Sequence, residues 1–331
     1  MVRLRRRRTP AIIPGLALAL ALTCSWGPPS RAERNDLRLI NLCPVSGGTA
    51  CPWVVQSAGS GRISFAADPQ ATSRFRSLMS ELGVVAAPRL QTPADTLGFA
   101  GLQFSAELEI TQISREKSFW DGVEGVTPSN PRSSRPDPWL TTMGLFVRKG
   151  MWFPVPALEW GVGAVNILQS GMWAVQGYLK LALHEGFHDW ILPSAAVRVG
   201  FSRLIGTDQV TLTVSSIDLL ISKAFSIAGT ARLEPFAGWD FLFIDARNGV
   251  IDPPPGTTAN FGGTFTFSRQ DAITRDRVYG GVKLKLAVLF LVAQLAVARS
   301  GRSSDGSATG NGARDMSGTQ ASASLSAGFD F

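Results

Sequence analysis

The chain has 331 residues, 32 Lys and Arg against 25 Asp and Glu, and a sequence pI of about 9.8. Six arginines, but no acidic residue, lie within the first 32 positions, so 26 of the 32 basic residues remain against the 25 acidic ones. This near-neutral balance removes the argument for nucleic acid or an acidic surface as a partner.

The N-terminus has the layout of a secretory signal peptide. Five arginines within the first eight positions precede an apolar stretch over 11–23, which is too short to span a bilayer as a helix. Ala32 and the Ser two positions before it suit a signal peptidase. We therefore predict a signal peptide over 1–32, cleaved after Ala32. Lipidation at Cys24 is an alternative that the preceding Thr disfavours.

The two cysteines of the predicted mature chain, Cys43 and Cys51, lie eight positions apart around a Gly-Gly pair. An oxidising periplasm permits a disulfide between them. Their spacing does not fit a redox CxxC pair, and two cysteines alone do not make a zinc site. We predict a structural disulfide.

Segment 33–97 predicts one helix that begins at Pro69, with Asp68 as its N-cap and Gly83 at its end. One face carries an apolar stripe that must be buried, formed by Phe75, Leu78, Met79 and Leu82. A short periplasmic cap is the favoured interpretation of this segment. A plug inside the rest of the protein and a contact with a partner are the alternatives.

From residue 98 onward, ten stretches alternate apolar and polar residues or are strongly apolar, as strands are. The sixth changes its apolar face midway, which predicts a bulge near Ser215 and Ser216. Pro235 conflicts with the seventh, because proline has no N–H for a ladder. The ten stretches are about 99–113, 140–149, 157–168, 171–184, 194–205, 209–225, 230–244, 275–287, 289–298 and 319–331.

After the leader, no apolar run reaches the roughly 18 residues that a spanning helix needs. A membrane protein without such helices must satisfy its backbone in a closed barrel. The long connections 114–139, 245–274 and 299–318 all follow odd-numbered strands, as outer loops do in such barrels. We predict an all-β fold, an antiparallel up-and-down transmembrane barrel of about ten strands (roughly eight to twelve) over 98–331.

The inward faces of neighbouring strands carry opposite charges, which predicts cross-strand ion pairs. Glu107 and Glu109 lie beside Arg148, and Glu159 lies beside Lys180. About ten strands leave little open space, so a filled or very narrow lumen is favoured over a conducting one. The lumen-facing candidates are Glu107, Glu109, Arg148, Glu159, Lys180, Arg198, Arg232, Glu234, Asp240, Arg277, Lys283 and Lys285.

The only histidines are His184 and His188. Glu185 is near in sequence, but no GxSxG elbow accompanies them. We therefore predict no enzyme activity, no metal site and no cofactor. Two alternatives stay open: a membrane-embedded lipid hydrolase that uses His184, and an adhesion or receptor surface on the loops 114–139 and 245–274.

The last strand alternates to the final residue, with Leu325, Phe329 and Phe331 on one face and Ser324, Ser326 and Asp330 on the other. An aromatic final residue on such a strand resembles the closing strand of bacterial outer-membrane β-barrel proteins. The resemblance covers 98–331 and identifies no subfamily. It implies an outer-membrane location reached through the periplasm, outer-membrane lipid as surroundings, and Phe331 as a signal for the barrel-assembly machinery. The function we expect is structural, or passive, porin-like transport of an unidentified small solute.

Overall fold

The structure is a computed structural model, which describes residues 33–42, 54–57, 63–66, 69–124, 136–151, 157–185, 192–227, 230–249, 265–304 and 312–331. The predicted signal peptide, the predicted disulfide of Cys43 and Cys51, the N-cap Asp68 and His188 lie outside these residues. Within the described ranges, no helix has the length and apolar character needed to cross a membrane.

One helix and fourteen strands are present in the described part of the chain, together with two short 3₁₀ turns at Leu39–Leu42 and Ser118–Asp121. A small sheet joins β1, β2 and β11, and the other strands belong to one large sheet. The elements are β1 (Val54–Ser57), β2 (Ile63–Ala66), α1 (Pro69–Val85), β3 (Leu102–Gln112), β4 (Trp139–Met151), β5 (Leu158–Ile167), β6 (Trp173–His184), β7 (Ser194–Ile205), β8 (Val210–Ser222), β9 (Phe225–Ile227), β10 (Ala231–Asn248), β11 (Phe265–Thr266), β12 (Gln270–Leu286), β13 (Leu289–Ala298) and β14 (Gln320–Asp330).

The large sheet closes on itself. Its strands are antiparallel in the order β12-β13-β14-β3-β4-β5-β6-β7-β8-β10, and β10 pairs again with β12. Leu102 and Phe331 exchange backbone hydrogen bonds of 3.0 and 2.9 Å, so the first and last barrel strands meet at the same end. The predicted antiparallel barrel of ten strands is confirmed.

The outer face of the barrel is apolar. Along each strand buried side chains alternate with exposed ones, and the exposed ones are mostly large and hydrophobic. Leu295 is 68% exposed and Leu145 is 60% exposed. A soluble protein rarely exposes such a continuous apolar surface, whereas a barrel surrounded by lipid requires one.

The predicted bulge near Ser215 and Ser216 is wrong. Burial alternates without interruption along β8, and its register with β7 and β10 is continuous. Val210, Leu212 and Val214 point inward, because the interior at that end of the barrel is itself apolar. Bulges occur instead at Ala182/His184 and Ile244/Ala246.

Pro235 is accommodated in β10 by an interruption of the neighbouring strand. On that side, β10 pairs with β9 up to Leu233 and with β8 from Phe236 onward. The missing N–H of Pro235 therefore falls opposite the gap between β8 and β9, where no ladder bond is lost.

The barrel has two different ends. The connections after β3, β10 and β13 are long, and together with the turns after β5 and β7 they form the long-loop end. The opposite end, the short-turn end, holds Leu102, Phe331 and the turn between β12 and β13.

Candidate functional site

The helix α1 lies inside the barrel at the long-loop end. The stripe of Phe75, Leu78, Met79 and Leu82 is at most 1% exposed. It belongs to one apolar cluster with inward-facing side chains from the long-loop ends of the strands, among them Leu212, Leu242, Ile244 and Ile273. Segment 33–97 thus places its helix within the lumen, and not as a cover over the short-turn mouth.

The helix continues to Val85, two residues beyond the predicted end at Gly83. A Cβ at Gly83 would lie 2.5 Å from Cδ1 of Ile244. Glycine is therefore needed here because the helix approaches β10 closely, and not because the chain changes direction.

Buried polar side chains tie α1 to the surrounding connections. Glu81 accepts hydrogen bonds from the backbone N–H of Ser114 at 2.9 Å, from Nε1 of Trp120 at 2.7 Å and from the N–H of Gly318 at 2.9 Å. On another face of the helix, Arg76 donates to Oε1 of Gln270 at 2.9 Å. These contacts satisfy polar groups that would otherwise be costly to bury.

After α1, residues 86–97 cross the lumen towards the short-turn end. At the start of this crossing segment, Ser202 donates to the carbonyl oxygen of Ala86 at 2.6 Å. Midway, Arg198 on β7 donates to Oγ1 of Thr92 at 2.7 Å. At its end, the N–H of Leu97 donates to Oε2 of Glu159 at 3.1 Å.

Side chains of the barrel wall contact the backbone of this segment repeatedly. Lys180 donates to the carbonyl oxygens of Pro93 and Asp95, both at 2.9 Å. Arg277 donates to the carbonyl oxygen of Pro88 at 2.8 Å. The segment therefore fills the lumen and consumes much of the hydrogen-bonding capacity of the wall.

Three cross-strand ion pairs join residues that the sequence predicts to face the lumen. Arg148 pairs with Glu107, Lys180 pairs with Glu159 at 3.1 Å, and Arg277 pairs with Asp240 at 2.7 Å. All six side chains are at most 4% exposed. Buried charges require such partners, because an unpaired ion in this interior is costly.

Three other predicted lumen charges contact residues that the sequence interpretation did not name as lumen-facing. Glu109 pairs with Arg89 of the crossing segment, and Arg198 pairs with Asp218 at 2.5 Å. Glu234 accepts from Oγ of Ser222 at 2.9 Å.

At the short-turn rim, Lys283 and Lys285 both pair with Asp330 at 3.1 Å. Arg232 pairs with Asp95 at 2.6 Å and lies 3.6 Å from Glu234. The side chains of Arg232 and Lys285 are 46% and 33% exposed.

The sequence interpretation missed several residues of this network. Arg89 and Asp95 lie in a segment without periodicity, so nothing in the pattern placed them in the lumen. Asp218 was not predicted to face the lumen because a bulge was assumed before it. Strict alternation from Val210 puts Asp218 on the inner face.

The two tyrosines of the chain were also missed. Tyr178 donates to Oε1 of Glu159 at 2.7 Å, and Tyr279 donates to both carboxylate oxygens of Asp218 at 2.9 Å. Their position on the polar faces of β6 and β12 was the available signal.

The residues of the hydrolase alternative are placed at the short-turn end. His184 ends β6, and Glu185 accepts the N–H of Thr96 at 2.9 Å, so this carboxylate holds the crossing segment. Within the described ranges, no three His, Cys, Asp or Glu side chains form a group that could hold a metal ion.

Comparisons with known proteins find solved structures of low similarity. No protein-family model matches this chain, and no curated protein matches it. The solved structures that it resembles are bacterial outer-membrane β-barrel proteins.

Three of these structures illustrate the level of similarity. The attachment invasion locus protein Ail of Yersinia pestis is 10% identical (TM-score 0.25; 70% of this chain and 99% of that chain covered). Neisserial surface protein A is 11% identical (TM-score 0.27; 70% and 94%). The outer membrane protein Omp33 of Acinetobacter baumannii is 8% identical (TM-score 0.25; 71% and 99%).

Proposed function

We propose that this protein is an outer-membrane β-barrel that is closed by its own N-terminal segment. In this closed state its role is structural, and small polar solutes pass only when the crossing segment 86–97 leaves its place. The proposal assigns it no catalysis and no cofactor.

The observation that carries the proposal is a closed barrel with an apolar outside and a filled inside, apolar around α1 and polar along the crossing segment. The exposed leucines of the outer face suit lipid, whose hydrocarbon offers no hydrogen bonds. Inside, buried ion pairs and the backbone of the crossing segment satisfy one another. A passage for ions is therefore blocked while the segment is seated.

The position of Phe331 supports its proposed role as an assembly signal. Its ring is 63% exposed, stacks on Phe329 at a centroid distance of 6.2 Å, and stands on the outer face where β14 closes the barrel against β3. An assembly factor that meets the terminal strand would find both rings accessible.

The test is a planar-bilayer recording of the purified full-length protein, after cell fractionation. We expect the protein in the outer-membrane fraction, folded and heat-modifiable on gels, without conductance steps. Stable steps from the unmodified protein would contradict the closed lumen. Recovery as a soluble periplasmic protein would contradict the membrane location.

A further inference from the structure

The first described residues of the chain lie at the long-loop end. The N–H of Asn35 donates to the carbonyl oxygen of Gln169 at 2.9 Å, and the N–H of Leu39 donates to Oε1 of Gln209 at 2.7 Å. Asp36 accepts the N–H of Gly171 at 2.8 Å. These partners belong to the turns that follow β5 and β7, so residues 33–42 are bound at that mouth.

The chain enters its first barrel strand from the opposite mouth. Between these points the crossing segment contacts the strands at steadily lower positions: Gln176 near the long-loop end of β6, then Arg198 in the middle of β7, then Ser222 at the short-turn end of β8. Among the described residues, the polypeptide therefore crosses its own lumen at 86–97.

The wall recognises this segment mostly through its backbone. Wall side chains bind six of its carbonyl oxygens, those of Ala86, Ala87, Pro88, Leu90, Pro93 and Asp95. They also accept four of its N–H groups, those of Arg89, Ala94, Thr96 and Leu97. Every polypeptide carries such groups, so this recognition depends little on sequence.

We infer that the lumen is a conduit with a binding site for extended polypeptide, and that the chain's own N-terminal segment has passed through it to the outer surface. This inference rests on the proposed outer-membrane location, in which long loops face outside. Residues 33–42 are then displayed together with the outer loops, and 86–97 stay in the conduit as its occupant.

The charges of the conduit suit this occupant. Lysine and arginine side chains present donors to carbonyl oxygens, while carboxylate, amide and hydroxyl oxygens present acceptors to N–H groups. Each cation among Lys180, Arg198 and Arg277 also keeps a carboxylate partner on the wall. The wall thus offers both kinds of hydrogen bond without carrying a large net charge.

The display of residues 33–42 at the cell surface is tested with single-cysteine variants in intact cells. The reagent is a membrane-impermeant maleimide, and the background has Cys24, Cys43 and Cys51 replaced by Ser. Glu33→Cys reports the N-terminal segment, Arg302→Cys the long-loop end, and Thr230→Cys the short-turn end; all three positions are exposed. We expect Glu33→Cys and Arg302→Cys to react alike. Thr230→Cys should react at least about tenfold less until the cells are permeabilised, since the reagent cannot cross the membrane.

The outcomes separate the two proposals. Labelling of Arg302→Cys with protection of Glu33→Cys overturns the display while leaving the outer-membrane location intact. Labelling of Thr230→Cys alone shows an inverted barrel, which overturns the exposure of residues 33–42 at the cell surface and leaves the proposed closed barrel intact. A protein that is absent from the outer-membrane fraction overturns the proposed function itself.

A second comparison tests recognition of the backbone, with the ratio of Glu33→Cys to Arg302→Cys labelling as its readout. Adding Leu90→Ala with Gln91→Ala should change the ratio by less than about twofold, because backbone contacts remain. Adding Lys180→Met should lower it by at least about tenfold, because the conduit then lacks the charged donor to the carbonyl oxygens of Pro93 and Asp95 while the segment passes through. The labelling of Arg302→Cys reports whether the barrel is assembled. An unchanged ratio with Lys180→Met, or a collapse with the alanine pair, overturns backbone recognition.

Discussion

Replacing Lys180 by Met should loosen the crossing segment and open the barrel. Its ammonium group donates to two backbone carbonyl oxygens at 2.9 Å and pairs with Glu159 at 3.1 Å, with both side chains 1% exposed. Methionine has a similar length but no donor. In the closed state, Glu159 then keeps its hydrogen bonds from the hydroxyl of Tyr178 and the N–H of Leu97 but has lost its cation.

The unpaired charge of Glu159 destabilises only the closed state, because water reaches Glu159 once the crossing segment has left the lumen. Breaking a buried pair by removing one partner costs about 3–5 kcal/mol. At roughly 1.4 kcal/mol for each factor of ten, the ratio of closed to open barrels should fall by about a hundredfold to a few thousandfold.

The assay is the open probability in planar bilayers, measured on protein that is heat-modifiable on gels. The matched control is Lys180→Met with Glu159→Gln, which removes the unpaired charge and keeps an acceptor for the N–H of Leu97. This double variant should close again in most recordings. The reasoning is refuted if Lys180→Met conducts no more than the unmodified protein, or if the double variant is as open as the single one.

Three stability predictions concern the packing of α1 inside the barrel and the short-turn rim. Gly83→Ala should destabilise the protein by about 1–3 kcal/mol through overpacking against Ile244, measured by chemical unfolding, and Ile244→Ala in the same chain should recover part of the loss. Glu81→Gln should cost about 1–3 kcal/mol in the same assay, because an amide cannot accept from all three donors that the carboxylate binds. Arg232→Ala should change stability by less than about 1 kcal/mol, since the Arg232 side chain is 46% exposed and water can replace it; a loss equal to that of Glu81→Gln would contradict the buried-network argument.

Alternation predicted the barrel well because each strand has one lipid-facing side. The predicted bounds of two strands agree with the observed ones: β7 spans Ser194–Ile205 and β13 spans Leu289–Ala298. The inward position of the lumen charges follows from the same period, since a residue two positions along a strand returns to the same face. Pairs such as Lys180 with Glu159 followed because their strands are neighbours in sequence and in space.

The contents of the lumen could not be predicted in this way. A crossing segment bound through its backbone needs no side-chain pattern, so Arg89 and Asp95 gave no signal. The apolar half of the interior misled the interpretation of β8, because an inward Leu212 looks like a lipid-facing residue until α1 is known to lie opposite it. Side chains that face either lipid or a buried helix obey the same rule of burial away from water.

The two halves of the lumen therefore respond differently to water. At the long-loop end, Phe75, Leu78 and Ile244 would lose apolar burial if water entered, at about 25 cal/mol for each Å² exposed. Along the crossing segment, Arg198 and Lys180 would exchange backbone partners for water at much smaller net cost, since each keeps its carboxylate. Opening is thus expected to start in 86–97 while α1 stays seated, which makes the crossing segment the moving part of the barrel and α1 its anchor.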